Sequence, residues 1–146
     1  MFTHQNLYNF WRRSQSVWLC KLVKVTVSFL NQQELFELSQ IHQLTQVEFG
    51  VKLSWEYYTK SGIGHMSWCV SANQPGLVFT NKGLASDSVP QIYQYRMADE
   101  NTLVMSVGKY EETIRLEGTK RRLREQRYDR RLIRRVWENK VEALVS

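Results

Sequence analysis

At 146 residues, 42% of them hydrophobic, with a formal net charge of +6, the chain is sized for one domain, residues 1–146. A chain of this length buries roughly two thirds of its unfolded surface and needs no disulfide or metal staple. It has no run of about 20 apolar residues, and MFTHQNLYNFWRRSQSVW lacks the basic-then-apolar order of a leader, so neither membrane insertion nor secretion is expected. The expected location is the cytoplasm, or the stroma for a plastid-encoded protein.

Leu7, Phe10, Trp11 and Ser14, then Val17 and Trp18, recur at spacings of three to four and predict a short opening helix within residues 5–17. From Trp18 to Leu30 the pattern changes to LCKLVKVTVSFL, rich in Val, Leu and Phe, which favours strand. NQQELFELSQIHQL, residues 31–44, fits a short helix or a polar connection equally well. VEFGVKLSWEYYT alternates, SGIG at 61–64 interrupts it and HMSWCVSA resumes. NQPG at 73–76 is a strong turn, because proline presets one dihedral and glycine accepts the left-handed one. LVFT, QIYQYRM, TLVMSVGKY, ETIRLEG and RRLIRRVW read as further strands, with DEN at 99–101 as a compact reversal, while ENKVEALVS fits a helix or a frayed tail. Many short strands with hairpin-sized gaps and no repeated helix between them predict an antiparallel barrel or sandwich.

Charge is concentrated. Residues 115–135 hold ten Arg or Lys against Glu117, Glu125 and Asp129, a local +7 that leaves the rest of the chain near −1, and an anionic partner is implied. Cys20 and Cys69 have no C-x-x-C partner and no closely spaced histidines, so they read as free thiols and no metal site is expected. Charge alone also raises a nucleic-acid-binding barrel, in which basic residues grip a backbone and aromatics stack bases, but no G-x-x-G loop or RNP block accompanies it.

Several blocks carry a more specific resemblance. NFWRRSQSVW (9–18), SGIGHMSWCV (61–70), IYQYRMADENTLVMSVGKYEETIRLEG (92–118) and DRRLIRRVW (129–137) together resemble, in order along nearly the whole chain, the CpcS/CpeS-type phycobiliprotein lyases. The resemblance implies a mainly β, antiparallel, lipocalin-like barrel with a short N-terminal helix and a C-terminal helix or tail. It also implies a site for a linear tetrapyrrole such as phycocyanobilin, held as a transferred substrate rather than a permanent cofactor. The activity implied is attachment of that bilin to a cysteine of a phycobiliprotein α or β subunit of the phycobilisome, in service of photosynthesis. Partners would be the acceptor subunit and a homologous lyase subunit or a second copy; nucleic acid is not expected.

The residues suit such chemistry. Trp55, Trp68, Tyr93, Tyr95 and Tyr110 lie on predicted strands and can wall a conjugated ligand, although any one of them equally fills a core. Two propionates call for cations, and Arg96, Arg115, Arg122, Arg131 and Arg134 fall on predicted strands. Alternation cannot place all of these inside. Arg96 and Arg131 are the assigned ligand contacts, Arg131 because it matches the first arginine of the family's closing pattern, whereas the second falls on Ile133. The acceptor supplies the thiol, so the protein needs only to position the pigment and manage a proton, with Glu112 and Asp99 as the candidate acids. Leu22, Val25 and Thr26 stand where family members considered catalytic present an arginine and a pair including histidine. That departure points to an accessory member of a two-component lyase, or to a non-catalytic bilin carrier.

Overall fold

The computed structural model describes residues 4–41, 43–44, 47–73, 76–82 and 91–141. After α1 (His4–Ser14) come β1 (Ser16–Cys20), β2 (Val23–Phe29), α2 (Gln32–Ile41), β3 (Phe49–Thr59), β4 (Gly62–Asn73), β5 (Gly76–Lys82) and β6 (Gln91–Asp99). The chain continues through β7 (Thr102–Val107), β8 (Tyr110–Glu117), β9 (Arg121–Tyr128) and β10 (Arg131–Lys140). Each strand pairs antiparallel with its predecessor, and β10 closes on β1, so the described strands form a closed barrel. Closure pairs the two outer strands with each other, through Trp18↔Lys140 and Leu19↔Asn139, and so shortens the free sheet edge that would otherwise template aggregation. Among the described residues no helix is long and apolar enough to cross a membrane.

The expected mainly β barrel with its opening helix is therefore present, and the local differences have physical reasons. The expected strand from Trp18 to Leu30 is a hairpin: Lys21 adopts a left-handed backbone (φ 52°) and reverses the chain between β1 and β2. The ambiguous segment after Leu30 is helical because Asn31 caps it. Asn31 Oδ1 accepts the Glu34 N–H at 2.8 Å and the Asn31 N–H donates to Glu34 Oε1 at 3.2 Å. TLVMSVGKY splits at Gly108 (φ 56°) into the end of β7 and the start of β8. The proposed C-terminal helix has no counterpart up to Lys140, which is still strand, and residues 142–146 lie outside the described residues, as do residues 74 and 75 of the NQPG turn.

Alternation sets the interior. Val51, Leu53, Trp55 and Tyr57 of β3 share one face, opposite Val25 and Val23 of β2 and opposite Val70, Trp68, Met66 and Gly64 of β4. One end of the barrel is stoppered by α1. Leu7, Phe10, Trp11 and Ser14 recur on one helix face and are at most 1% exposed, packed with Trp18, Val27, Phe49 and Leu103. Burying each large apolar side chain contributes about 1.5–3 kcal/mol, so the plug is a substantial part of the fold. The helix is tied down at its C-terminus: Trp18 Nε1 donates to the Ser14 carbonyl at 2.9 Å, Ser14 Oγ donates to the Phe10 carbonyl at 2.8 Å, and Arg13 donates to Asn101 Oδ1 at 2.8 Å and to the Glu100 carbonyl in the β6–β7 turn. The β1–β2, β3–β4, β7–β8 and β9–β10 turns all lie at the other end.

Candidate functional site

Beneath the α1 plug the barrel is hollow. A chamber of about 280 Å³ is lined on one side by Val23, Val25, Leu53, Trp55, Met66 and Trp68. Its other side carries Tyr93, Tyr110, Glu112, Arg122, Arg124, Gln126, Arg134 and Glu138, and Trp11 and Cys20 also contribute. The size lies just below the usual range of ligand pockets, roughly 300 to 1,000 Å³.

The polar side is built by the inward positions of β8, β9 and β10. Register sets Glu138 opposite Arg122, and Gln126 between Glu112 and Arg134. Arg122 Nε donates to Glu138 Oε1 at 2.7 Å, with the two residues 2% and 1% exposed, and its guanidinium stacks 4.7 Å from the Trp18 ring centroid. Arg124 donates through Nε and Nη2 to Glu112 Oε1 at 3.1 and 2.8 Å and sits 3.7 Å from Glu138 Oε2. It also reaches across the chamber, with Cζ 5.9 Å from the Trp55 ring centroid. The second oxygen of Glu112 accepts the Tyr110 hydroxyl at 3.1 Å, and Tyr110 meets Tyr93 edge to face with centroids 6.4 Å apart.

Electrostatics follow from burial and neighbours. Burial and the adjacent Glu112 both raise the Tyr110 and Tyr93 phenols, which therefore keep their protons at neutral pH. Burial lowers Arg122, partly offset by Glu138. For Arg124 burial acts in the same downward sense, but Glu112 and Glu138 outweigh it and the net direction is up. Arg134 differs from both: it lines the chamber and forms no ion pair among the described residues. With three arginines against Glu112 and Glu138, the chamber lining has an excess of one positive charge. The Trp11 indole N–H is buried and has no hydrogen-bond partner among the described residues.

Of the site residues expected from sequence, the structure brings together Trp55, Trp68, Tyr93, Tyr110 and Glu112. Tyr95 is half-buried against the core but does not line the chamber. Three assignments are corrected. Arg96 falls between the inward Tyr95 and Met97, so alternation turns it outward and it is exposed. Arg131 is exposed at the first residue of β10, beyond the chamber lining; Arg134, past an irregularity between Leu132 and Arg134, takes the inward place. Asp99 belongs to the β6–β7 turn, where its carboxylate accepts the Asn101 N–H at 2.8 Å, far from the chamber lining in sequence register and exposed to solvent. Glu112 is present, but both its oxygens are taken up as acceptors for Arg124 and Tyr110.

Arg124 and Glu138 were not anticipated. The signal was there as a period-two pattern, Arg122-x-Arg124-x-Gln126 facing Arg134-x-Val136-x-Glu138, which pairs charges inward once the two stretches form a hairpin. Val25, at a position where the resembled family carries a polar group, is buried and apolar here, so the first two hairpin strands give the chamber no cation. Cys20 and Cys69 form no disulfide; Cys20 lies at the chamber wall and Cys69 is buried. Among the described residues no group of His, Cys, Asp and Glu is arranged to hold a metal.

Fold and site together define a closed antiparallel barrel with an amphipathic internal chamber. No protein-family model, curated protein or solved structure matches the chain.

Proposed function

We propose that the protein binds a linear tetrapyrrole in this chamber and assists its thioether attachment to a cysteine of a phycobiliprotein subunit, working with a homologous partner. The observation that carries this reading is the division of the chamber into an aromatic wall, Trp55 and Trp68, and a cationic wall with Arg134 left unpaired. A conjugated pigment offers a π surface to the first and a propionate to the second. The Trp11 N–H supplies a further donor for an acceptor atom of the ligand. A pigment longer than the chamber extends out through its open end past the exposed Arg134, leaving one propionate in solvent.

The buried ion pairs support a ligand role rather than a purely structural one, because apolar residues of similar volume usually stabilise a core as well or better. The sequence blocks that resemble the CpcS/CpeS-type lyases supply the pigment class and the acceptor. Of the two candidate acids only Glu112 lines the chamber, where it accepts the Tyr110 hydroxyl, whereas Asp99 lies outside the lining. The apolar Val25 favours the accessory role in a two-component lyase.

A nucleic-acid module would place its arginines in a continuous outer stripe over a filled core. Here the chamber is open, and outward Arg115 pairs with Glu117 at 2.8 Å while Arg127 and Arg135 share Glu125 at 3.3 and 2.8 Å. Mixing the protein with phycocyanobilin and isolated phycobiliprotein subunits, with and without a homologous lyase, tests the proposal. A red-shifted, saturable pigment spectrum and acceptor colour that survives denaturation are expected. Absence of any spectral change with the pigment defeats it.

A further inference from the structure

We propose that the notch between the β9–β10 hairpin and the β1–β2 turn is a docking surface for an acidic protein segment, which on the reading above belongs to the acceptor subunit.

Four features of the notch converge. The first is an unfinished ladder: β1 pairs with β10 only at Trp18↔Lys140 and Leu19↔Asn139, so β10 from Arg131 to Trp137 has no strand partner on that side among the described residues. Such an edge offers backbone donors and acceptors that an extended peptide completes. The second is apolar exposure, with Leu22 63%, Leu132 44% and Ile133 59% exposed around this edge. The third is charge: Lys21, Arg130, Arg131 and Arg134 are all exposed, and none of them forms an ion pair among the described residues. The fourth is backbone conformation. Lys21 (φ 52°) in one bordering turn, and Asp129 (φ 49°) and Arg130 (φ 69°) in the other, occupy the left-handed region where glycine is unstrained. A cation kept at such a position in both turns costs stability that glycine would restore.

The chemistry selects the occupant. A second copy would bring the same four cations against this surface and is repelled. A lipid surface satisfies the apolar side chains and the charges but has no N–H groups to complete a strand edge. A peptide with carboxylates meets all three requirements. The notch also opens on the chamber, since Cys20 and Val23 line it from one border and Arg134 and Val136 from the other, so a docked segment lies beside the bound ligand.

The test compares wild type with the exposed double variant Arg130→Gly/Ile133→Asp, titrating isolated phycobiliprotein α and β apo-subunits at low and high salt and, separately, phycocyanobilin by absorbance. Arg130→Gly alone is expected to raise the midpoint of thermal unfolding, which separates loss of binding from loss of fold. The double variant is expected to bind its preferred subunit about tenfold more weakly while taking up the pigment as wild type does. Wild-type binding to the subunit should weaken as salt rises. Equal subunit binding by variant and wild type overturns the proposal, as does failure of wild type to bind either subunit. So does rim-dependent binding to anionic phospholipid vesicles in place of subunits, or a wild-type dimer that the double variant dissolves. If wild type binds a subunit through the rim yet takes up no pigment, the chamber reading fails and the docking surface stands.

Discussion

The two walls of the chamber are made by the same device and come out opposite in character. On β2–β4 the inward positions are Val23, Val25, Leu53, Trp55, Met66 and Trp68; on β8–β10 they include Glu112, Arg122, Arg124, Arg134 and Glu138. Strand alternation aims both sets inward with equal force, so the difference lies in residue choice alone. A barrel whose only task was to fold would fill both walls with apolar side chains. On the proposed reading the charged wall serves a ligand in the chamber, and its internal pairing leaves Arg134 to meet it.

The largest effect should come from breaking that wall. Glu138→Ala leaves Arg122 buried and unpaired and is expected to cost about 3–5 kcal/mol in chemical denaturation. The apolar replacement Arg122→Met/Glu138→Leu should recover most of that loss and yet bind phycocyanobilin poorly. Recovery of both stability and binding would mean that the two walls are interchangeable. On the opposite wall, Trp68→Ala removes aromatic surface worth about 1.5–3 kcal/mol to a ligand stacked against it, a loss of roughly 10- to 100-fold in pigment affinity by absorbance titration.

Smaller effects locate the site's boundary. Arg96→Gln and Arg131→Gln, both outside the chamber, should leave pigment affinity unchanged within about twofold, in contrast to any change at Arg134. The smallest effect belongs to the outer face. The hydrogen bond from Arg135 holds the Glu125 carboxyl below the usual carboxylate range, against the opposing influence of burial. Its stabilisation is therefore fully present above the ordinary carboxylate pKa and is lost as pH falls through the depressed folded value. Arg135→Gln should cost about 0.2–1 kcal/mol near neutrality and nothing measurable once Glu125 is protonated, read from denaturation midpoints across that pH range.

The apolar wall was the legible one. Alternation in β3 and β4 and the helical spacing of Leu7, Phe10, Trp11 and Ser14 predicted the strands and the opening helix, and Trp55 and Trp68 line the chamber as that alternation implies. The charged wall was harder to read, because RRLREQRY presents arginines at both inward and outward positions and nothing in β9 alone says which set is buried. Only its register with β8 and β10 separates Arg122 and Arg124 from Arg121 and Arg127. Ile133 had the same effect on β10, where an irregularity between Leu132 and Arg134 shifts the parity and puts Arg134 rather than Arg131 at the chamber wall. Asp99 was read as an acid when its short side chain serves the turn that it opens.

The claim that the unpaired guanidinium receives a ligand carboxylate is tested most directly by titrating wild type and Arg134→Gln with phycocyanobilin and with its dimethyl ester. A charge-assisted contact of about 1.5–3 kcal/mol predicts that esterification and substitution each weaken binding by roughly 10- to 100-fold, and that together they do little more than either alone. An ester that binds wild type as tightly as the free acid would contradict the account.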